Sequence, residues 1–238
     1  MEQRAMCAAR CLLMVGWLAG SAGASLYIDH MQIGVIPGQW YKGSTQSFRL
    51  ADMSGTNTNV VVTSGLIKVS GAAGYDYEFN GTISVGPSAL VHDTSVGGVA
   101  SGSFAGGFGL SMTGDLYPKG HPEQLLLDDV LLLQAQMSEA GWTLAEDSPP
   151  ASNRVRGAAA FHPTGGALGS GVNPPGLLIG DFNAGFDLQN CTPAVTSFGS
   201  TSYSTSIGRT IQISAIPEPV SAVLLGIGGI LAARKKRK

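Results

Sequence analysis

Side chains able to do chemistry are sparse and scattered in this 238-residue sequence. The four histidines, His30, His92, His121 and His162, each stand alone. A zinc site draws on clustered His and Cys ligands, so none is expected. Asp181, Asn183, Gly185 and Asp187 alternate with Phe182, Ala184 and Phe186. An EF-hand would need Asp or Asn at 185, Gly at 186 and Glu at 192, where Gly, Phe and Thr stand. A strand with an apolar and a polar face explains the pattern better. Asp76/Glu78 and Asp128/Asp129 are carboxylate pairs of the type that serves glycoside hydrolysis, but chance produces such pairs in a chain with 16 acidic residues. Gly-x-Ser-x-Gly, Ser-x-x-Lys, Gly-x-x-x-x-Gly-Lys and His-Glu-x-x-His are all absent. Tyr75, Tyr77 and Phe79 form an aromatic row, read as core or as a platform for sugar rings. Thr196, Thr201, Thr205 and Thr210 are too irregular for an ice-binding array. No residue is assigned a catalytic, cofactor-binding or metal-ligating role.

The elements that would carry these residues are strands. Tyr75–Asn80 alternates strictly, which marks a half-buried strand. Ser25–Val35, Asn59–Ser70, Thr82–Val85, Ser103–Tyr117, Ala158–Phe161, Gly176–Gly180, Asp181–Gln189 and Ser202–Ser214 are further candidates, with a short one at Phe48–Asp52. Gly, Ser, Asn and Pro fill the gaps between them. Glycine reaches 34 residues, while charged residues are only 13%. Short punctuated strands without a repeating period predict an all-β fold, a single β-sandwich or jelly roll. Residues 123–140 carry Leu126, Val130, Leu133 and Met137 at helical spacing. The all-β context favours two strands there, joined at Asp128-Asp129. Ala145–Arg156 and Pro163–Pro175 are expected to be loops.

Both termini differ from this body. Residues 1–24 comprise a basic start, the apolar run Cys11–Gly20 and the small residues Ala22 and Ala24. That order is a secretory signal peptide cut by signal peptidase after Ala24. At the other end, Pro217-Glu218-Pro219 precedes the uncharged run Val220–Ala233, and Arg234-Lys235-Lys236-Arg237-Lys238 follows. An apolar run closed by cations is a stop-transfer arrangement. Its 14 residues make about 21 Å of helix, short of the roughly 30 Å hydrocarbon core, so the segment is a marginal membrane anchor. The body, 25–216, holds seven basic and 14 acidic residues, a formal charge of −7. Such a surface disfavours nucleic acid and other polyanions. Its one cysteine, Cys191, has no partner for an internal disulfide and is expected as a small buried hydrophobe.

The end 217–238 resembles the PEP-CTERM sorting signal of Gram-negative bacteria in its Pro-Glu-Pro motif, Gly-rich apolar run and terminal Arg/Lys cluster. The resemblance implies recognition by an exosortase-type membrane protease and removal of the tail near Pro217–Pro219. It also implies a protein released to, or displayed on, the cell surface, often alongside exopolysaccharide and biofilm. Together the two ends predict export across the inner membrane, transient anchoring, and a non-catalytic structural or adhesive role. A carbohydrate-binding module and a secreted hydrolase are the competing expectations, and polysaccharide is the candidate partner.

Overall fold

The alternation of β-branched and polar residues along 60–69 and 77–85 sends one set of side chains inward on each strand. In a computed structural model, which describes residues 26–35, 39–40, 47–50, 58–146, 153–170, 176–199 and 203–216, this pattern repeats around a closed wall. The strands are β1 (Leu26–Val35), β2 (Gln39–Trp40), β3 (Ser47–Phe48), β4 (Val60–Val69), β5 (Tyr77–Val85), β6 (Ser88–Asp93) and β7 (Ser101–Ala105). They continue as β8 (Gly109–Pro118), β9 (Leu127–Met137), β10 (Gly141–Glu146), β11 (Val155–Gly165), β12 (Leu177–Leu178), β13 (Phe182–Thr192) and β14 (Tyr203–Ala215). One helical turn, α1 (Ala167–Ser170), lies between β11 and β12.

Eight strands close an antiparallel barrel in the order β13-β14-β1-β4-β5-β8-β9-β11, with β11 pairing back onto β13 from Val155↔Leu188 to Phe161↔Phe182. The all-β expectation therefore holds, while the sandwich or jelly roll gives way to a barrel. Alternation along a strand is the same in both architectures. The difference lies in whether the first and last strands of the sheet meet, and closure removes the exposed edges that an open sheet must protect. An eight-stranded barrel is just wide enough for side chains to fill. Met31, Ile33, Ile67, Phe79, Ile83, Leu110, Met112, Leu133, Phe161, Phe182, Phe186 and Ile213 fill it.

A smaller sheet of β10, β7, β6 and β3 extends from the wall at β11. Its strands continue those of the barrel across a common corner. β5 passes into β6 at Gly86–Pro87, β8 follows β7 after Gly106 and Gly107, and β9 passes into β10 before Gly141. Gly106 is required at this corner, because a Cβ there would lie 1.9 Å from the Glu139 carbonyl oxygen. Between this lobe and the barrel sits an aromatic cluster. Trp142 contacts Phe48, Phe104, Phe108 and Phe186 at ring-centre distances of 4.8, 5.7, 5.4 and 5.4 Å. Its indole N–H donates to Ser88 Oγ at 3.0 Å, and Ser88 in turn donates to the Ala105 carbonyl. The polar edge of a buried indole is thereby satisfied.

The segment 123–140 holds one strand, not the expected pair joined at Asp128-Asp129. β9 runs unbroken from Leu127 to Met137, and Asp129 takes φ 44° within it. The register with β8 shifts at this place, so the two aspartates form an irregularity in one strand. Ser103–Tyr117 divides instead into β7 and β8. The expected loops are trimmed: β10 and β11 reach to Glu146 and from Val155, and β11 and α1 occupy part of 163–175. The segments 1–24 and 217–238 lie outside the described residues, as do Ala22, Ala24, Pro217, Glu218, Pro219 and Arg234–Lys238. Among the described residues no helix is long and apolar enough to cross a membrane.

Candidate functional surfaces

With the barrel interior occupied by side chains, the outward-facing residues are what a ligand would meet. On β5, β8 and β9 these are polar apart from Leu131 of β9, which is 41% exposed and lies opposite Thr113, and the pairing register sets them in rows. Glu78 lies opposite Tyr117, Asn80 opposite Asp115, Thr82 opposite Thr113, and Ser84 opposite Ser111. Ser111 in turn lies opposite Gln134 of β9. Between the Asn80/Asp115 and Thr82/Thr113 rows, Gly81 faces Gly114. Both have positive φ, 155° and 151°, and a Cβ on either would come within 2.0 Å of the opposing strand's carbonyl oxygen. Two strands thus approach where only glycine fits. Here the wall carries a shallow depression of about 300 Å³, lined by Asn80, Thr82, Thr113, Asp115, Asp128 and Asp129. The Asp129 amide donates to Asp115 Oδ1 at 2.7 Å. A second depression, about 180 Å³, follows along the same strands and is lined by Ser84, Ser111, Gln134 and Gln136.

At the edge of this surface, burial raises the pKa of Tyr117, the carboxylates of Glu78 and Asp115 add to the rise, and the Asn80 hydrogen bond only partly opposes it. The phenol therefore stays protonated. Amides, hydroxyls and carboxylates in this arrangement can exchange hydrogen bonds with a polyhydroxylated ligand.

The residues singled out by sequence disperse over the surface. His30 Nδ1 lies 3.2 Å from Ser214 Oγ on the outer wall of β1 and β14. His121 meets Glu123 at 3.1 Å, and His162 meets Asp181 at 2.6 Å. His92 is exposed on β6. Asp76 Oδ2 accepts the Val69 amide at 3.2 Å, a tie within the β4–β5 connection. The aromatic row divides. Phe79 is fully buried in the barrel, Tyr77 packs against the core, and Tyr75 lies outside β5 with its hydroxyl donating to Gln32 at 3.0 Å. Lys119 Nζ sits 5.8 Å from the Tyr75 ring centre. The Asp181–Asp187 run is a two-faced strand as expected. Phe182, Ala184 and Phe186 are core, Asp181 pairs with His162, and Asp187 with Arg154 and Arg156. Burial works to raise the Asp187 pKa, but the Arg154 and Gln189 hydrogen bonds and the two guanidinium charges hold it below the ordinary carboxylate value. Cys191 is buried against the Leu188 carbonyl. No group of three or more His, Cys, Asp or Glu side chains among the described residues is placed to hold a metal ion.

Two sites escaped the sequence reading. The polar rows were visible only as the outward positions of single strands, because cross-strand partners depend on register. Asp93, at the end of β6, was not singled out. It accepts the Ser95 amide at 3.0 Å, the Ser95 hydroxyl at 2.5 Å, the Gly199 amide at 2.7 Å and the Ser197 hydroxyl. Burial pushes its pKa up, but these four hydrogen bonds outweigh it and bring the value to about 2. Ser197 and Gly199 are more than 100 positions away in the chain, so no local signal could have revealed the site. Comparison of the chain with protein-family models, with curated proteins and with solved structures finds no match in any of the three.

Proposed function

We propose that this is an exported envelope or matrix protein with a non-catalytic, structural or adhesive role, sorted through its C-terminal segment. The observation that carries this reading is the order of Pro217-Glu218-Pro219, apolar run and Arg234–Lys238 at one end, with a signal-peptide pattern at the other. In support, the barrel interior is packed with apolar side chains, and the depressions described on its outer wall are shallow. A packed barrel serves better as a durable body than as a container. In this reading signal peptidase cuts after Ala24, the tail holds the body at the membrane, and an exosortase-type protease severs it near Pro219. Intact-mass measurement of the protein from its native host tests the reading. The expected product begins after Ala24 and ends near Pro219. A mature protein retaining Arg234–Lys238 overturns the processing step.

The polar rows of β5, β8 and β9 favour one second reading, a carbohydrate-binding module. Neutral polysaccharides suit its amides and hydroxyls, and the acidic body disfavours polyanions. A glycan array probed with the purified body separates the two: binding abolished by Asn80→Ala with Thr113→Ala supports the module, and no binding to any glycan counts against it.

A further inference from the structure

The strand directions place both junctions of the body at one end of the barrel. β1 starts there at Leu26, and β14, its antiparallel neighbour in the register His30↔Ser214, finishes there at Ala215. The Ile216 amide then donates to the Asp181 carbonyl at 2.7 Å, which fastens the last residue to the rim. The other connections at this end are β4–β5, β8–β9 and the stretch from β11 to β13, while the lobe of β6, β7 and β10 extends from the opposite end.

The rim at the shared end is apolar in places where solvent would be expected. Tyr27 is 54% exposed, Leu125 45%, Leu126 37% and Ile216 36%. Leu125 and Leu126 belong to an ordered connection: His121 N donates to Pro118 O at 3.0 Å, Gln124 N to His121 O at 2.9 Å, and Leu126 N to Leu116 O at 2.8 Å. Two adjacent leucines are therefore held outward by a fixed turn. Leu125 and Leu126 are thus two adjacent large apolar side chains that meet solvent on this rim.

Chain length selects the partner. Only Pro217, Glu218 and Pro219 separate Ile216 from the apolar run that begins at Val220. Three residues span at most about 11 Å. We infer that this rim lies against the lipid surface in which the chain's own tail is anchored, with Leu125 and Leu126 entering the interface on one side of the barrel and Tyr27 and Ile216 on the side across from them. The inference rests on the anchor reading of 220–233. Carboxylates nearby (Asp29, Glu123, Asp128, Asp129) are repelled by anionic lipid, so contact arises from apolar insertion under a short tether, which raises the local concentration of lipid.

The test uses the exported chain, residues 25–238, reconstituted into phosphatidylcholine vesicles with and without brominated acyl chains. Leu125→Trp and Leu126→Trp report from the rim, and Val96→Trp reports from the opposite lobe, where Val96 is 79% exposed. The unsubstituted exported chain, with Trp40 and Trp142, supplies the background. Expected are vesicle flotation of every variant, and bromolipid quenching above background of at least twofold at 125 and 126 but none at 96. Flotation without quenching at either leucine position overturns the apposed rim and leaves the anchor standing. A chain that does not float overturns the anchor, and the rim contact with it.

Discussion

Asp93 shows how much one side chain can organise. Its carboxylate receives four hydrogen bonds and joins the end of β6 to Ser197 and Gly199. Phe198, between them, packs against Phe104 at 5.5 Å. The folded pKa of about 2 lies below the ordinary carboxylate value, so the bound form stabilises the fold at neutral pH. That contribution is complete above about pH 4, the unfolded value, and disappears as pH falls toward 2. Asp93 is solvent-accessible, which places the expected loss for Asp93→Asn at about 1 kcal/mol at pH 7. Urea titrations of both proteins from pH 7 to pH 2 check this. The stability gap should shrink through the acid window, and a gap independent of pH would show that charge is not what the site uses.

At the scale of elements, the shared corner of three long strands governs the join between barrel and lobe. Gly106 lies on the corner with its would-be Cβ only 1.9 Å from Glu139 O, and the opposing group is backbone that cannot swing aside. Gly74, in the β4–β5 connection, has nothing within 4 Å of that position. Gly106→Ala is therefore expected to lose 2 kcal/mol or more, on the order of an overpacked core site. Gly74→Ala should be neutral or gain up to about 1 kcal/mol through reduced freedom of the unfolded chain. Thermal melts of the pair measure the contrast. Equal effects at the two positions would mean that the corner can relax.

Across the whole molecule, closure joins elements distant in sequence into one packing unit. β11 pairs with β13 and β9, and Phe161 of β11 stacks on Phe182 at 5.5 Å while meeting Phe108 edge-on at 5.4 Å. Lobe and barrel share these aromatics, with Phe186 and Trp142 continuing the contact. Phe161→Ala should cost about 3–5 kcal/mol and lower the stability of both parts together. Near-ultraviolet circular dichroism, which follows the aromatics, and far-ultraviolet signal, which follows the strands, should then unfold in one coincident transition. Two separated transitions would establish that the lobe folds apart from the barrel.

The sequence by itself determined the periodicity of the strands and the burial of Cys191. Those properties are local: a two-residue alternation fixes which side chains share a face wherever the strand ends up. It placed strand in 123–140, yet put a turn at Asp128-Asp129, because charged neighbours in a hydrophobic run resemble a turn until a facing strand absorbs them as an irregularity. It missed β6 and β10, strands of only six residues each, one directly following Pro87 and the other opening on Gly141, which therefore read as parts of the turns. Tertiary structure alone decided that the sheet closes, that Asn80, Thr82, Thr113 and Asp115 form one polar surface, and that Asp93 captures residues 197–199. It also decided that residues 26 and 216 leave by the same rim. Each of these depends on register and pairing between segments tens to nearly two hundred residues apart, and such pairing is settled by which closed arrangement buries the inward faces of all eight strands together.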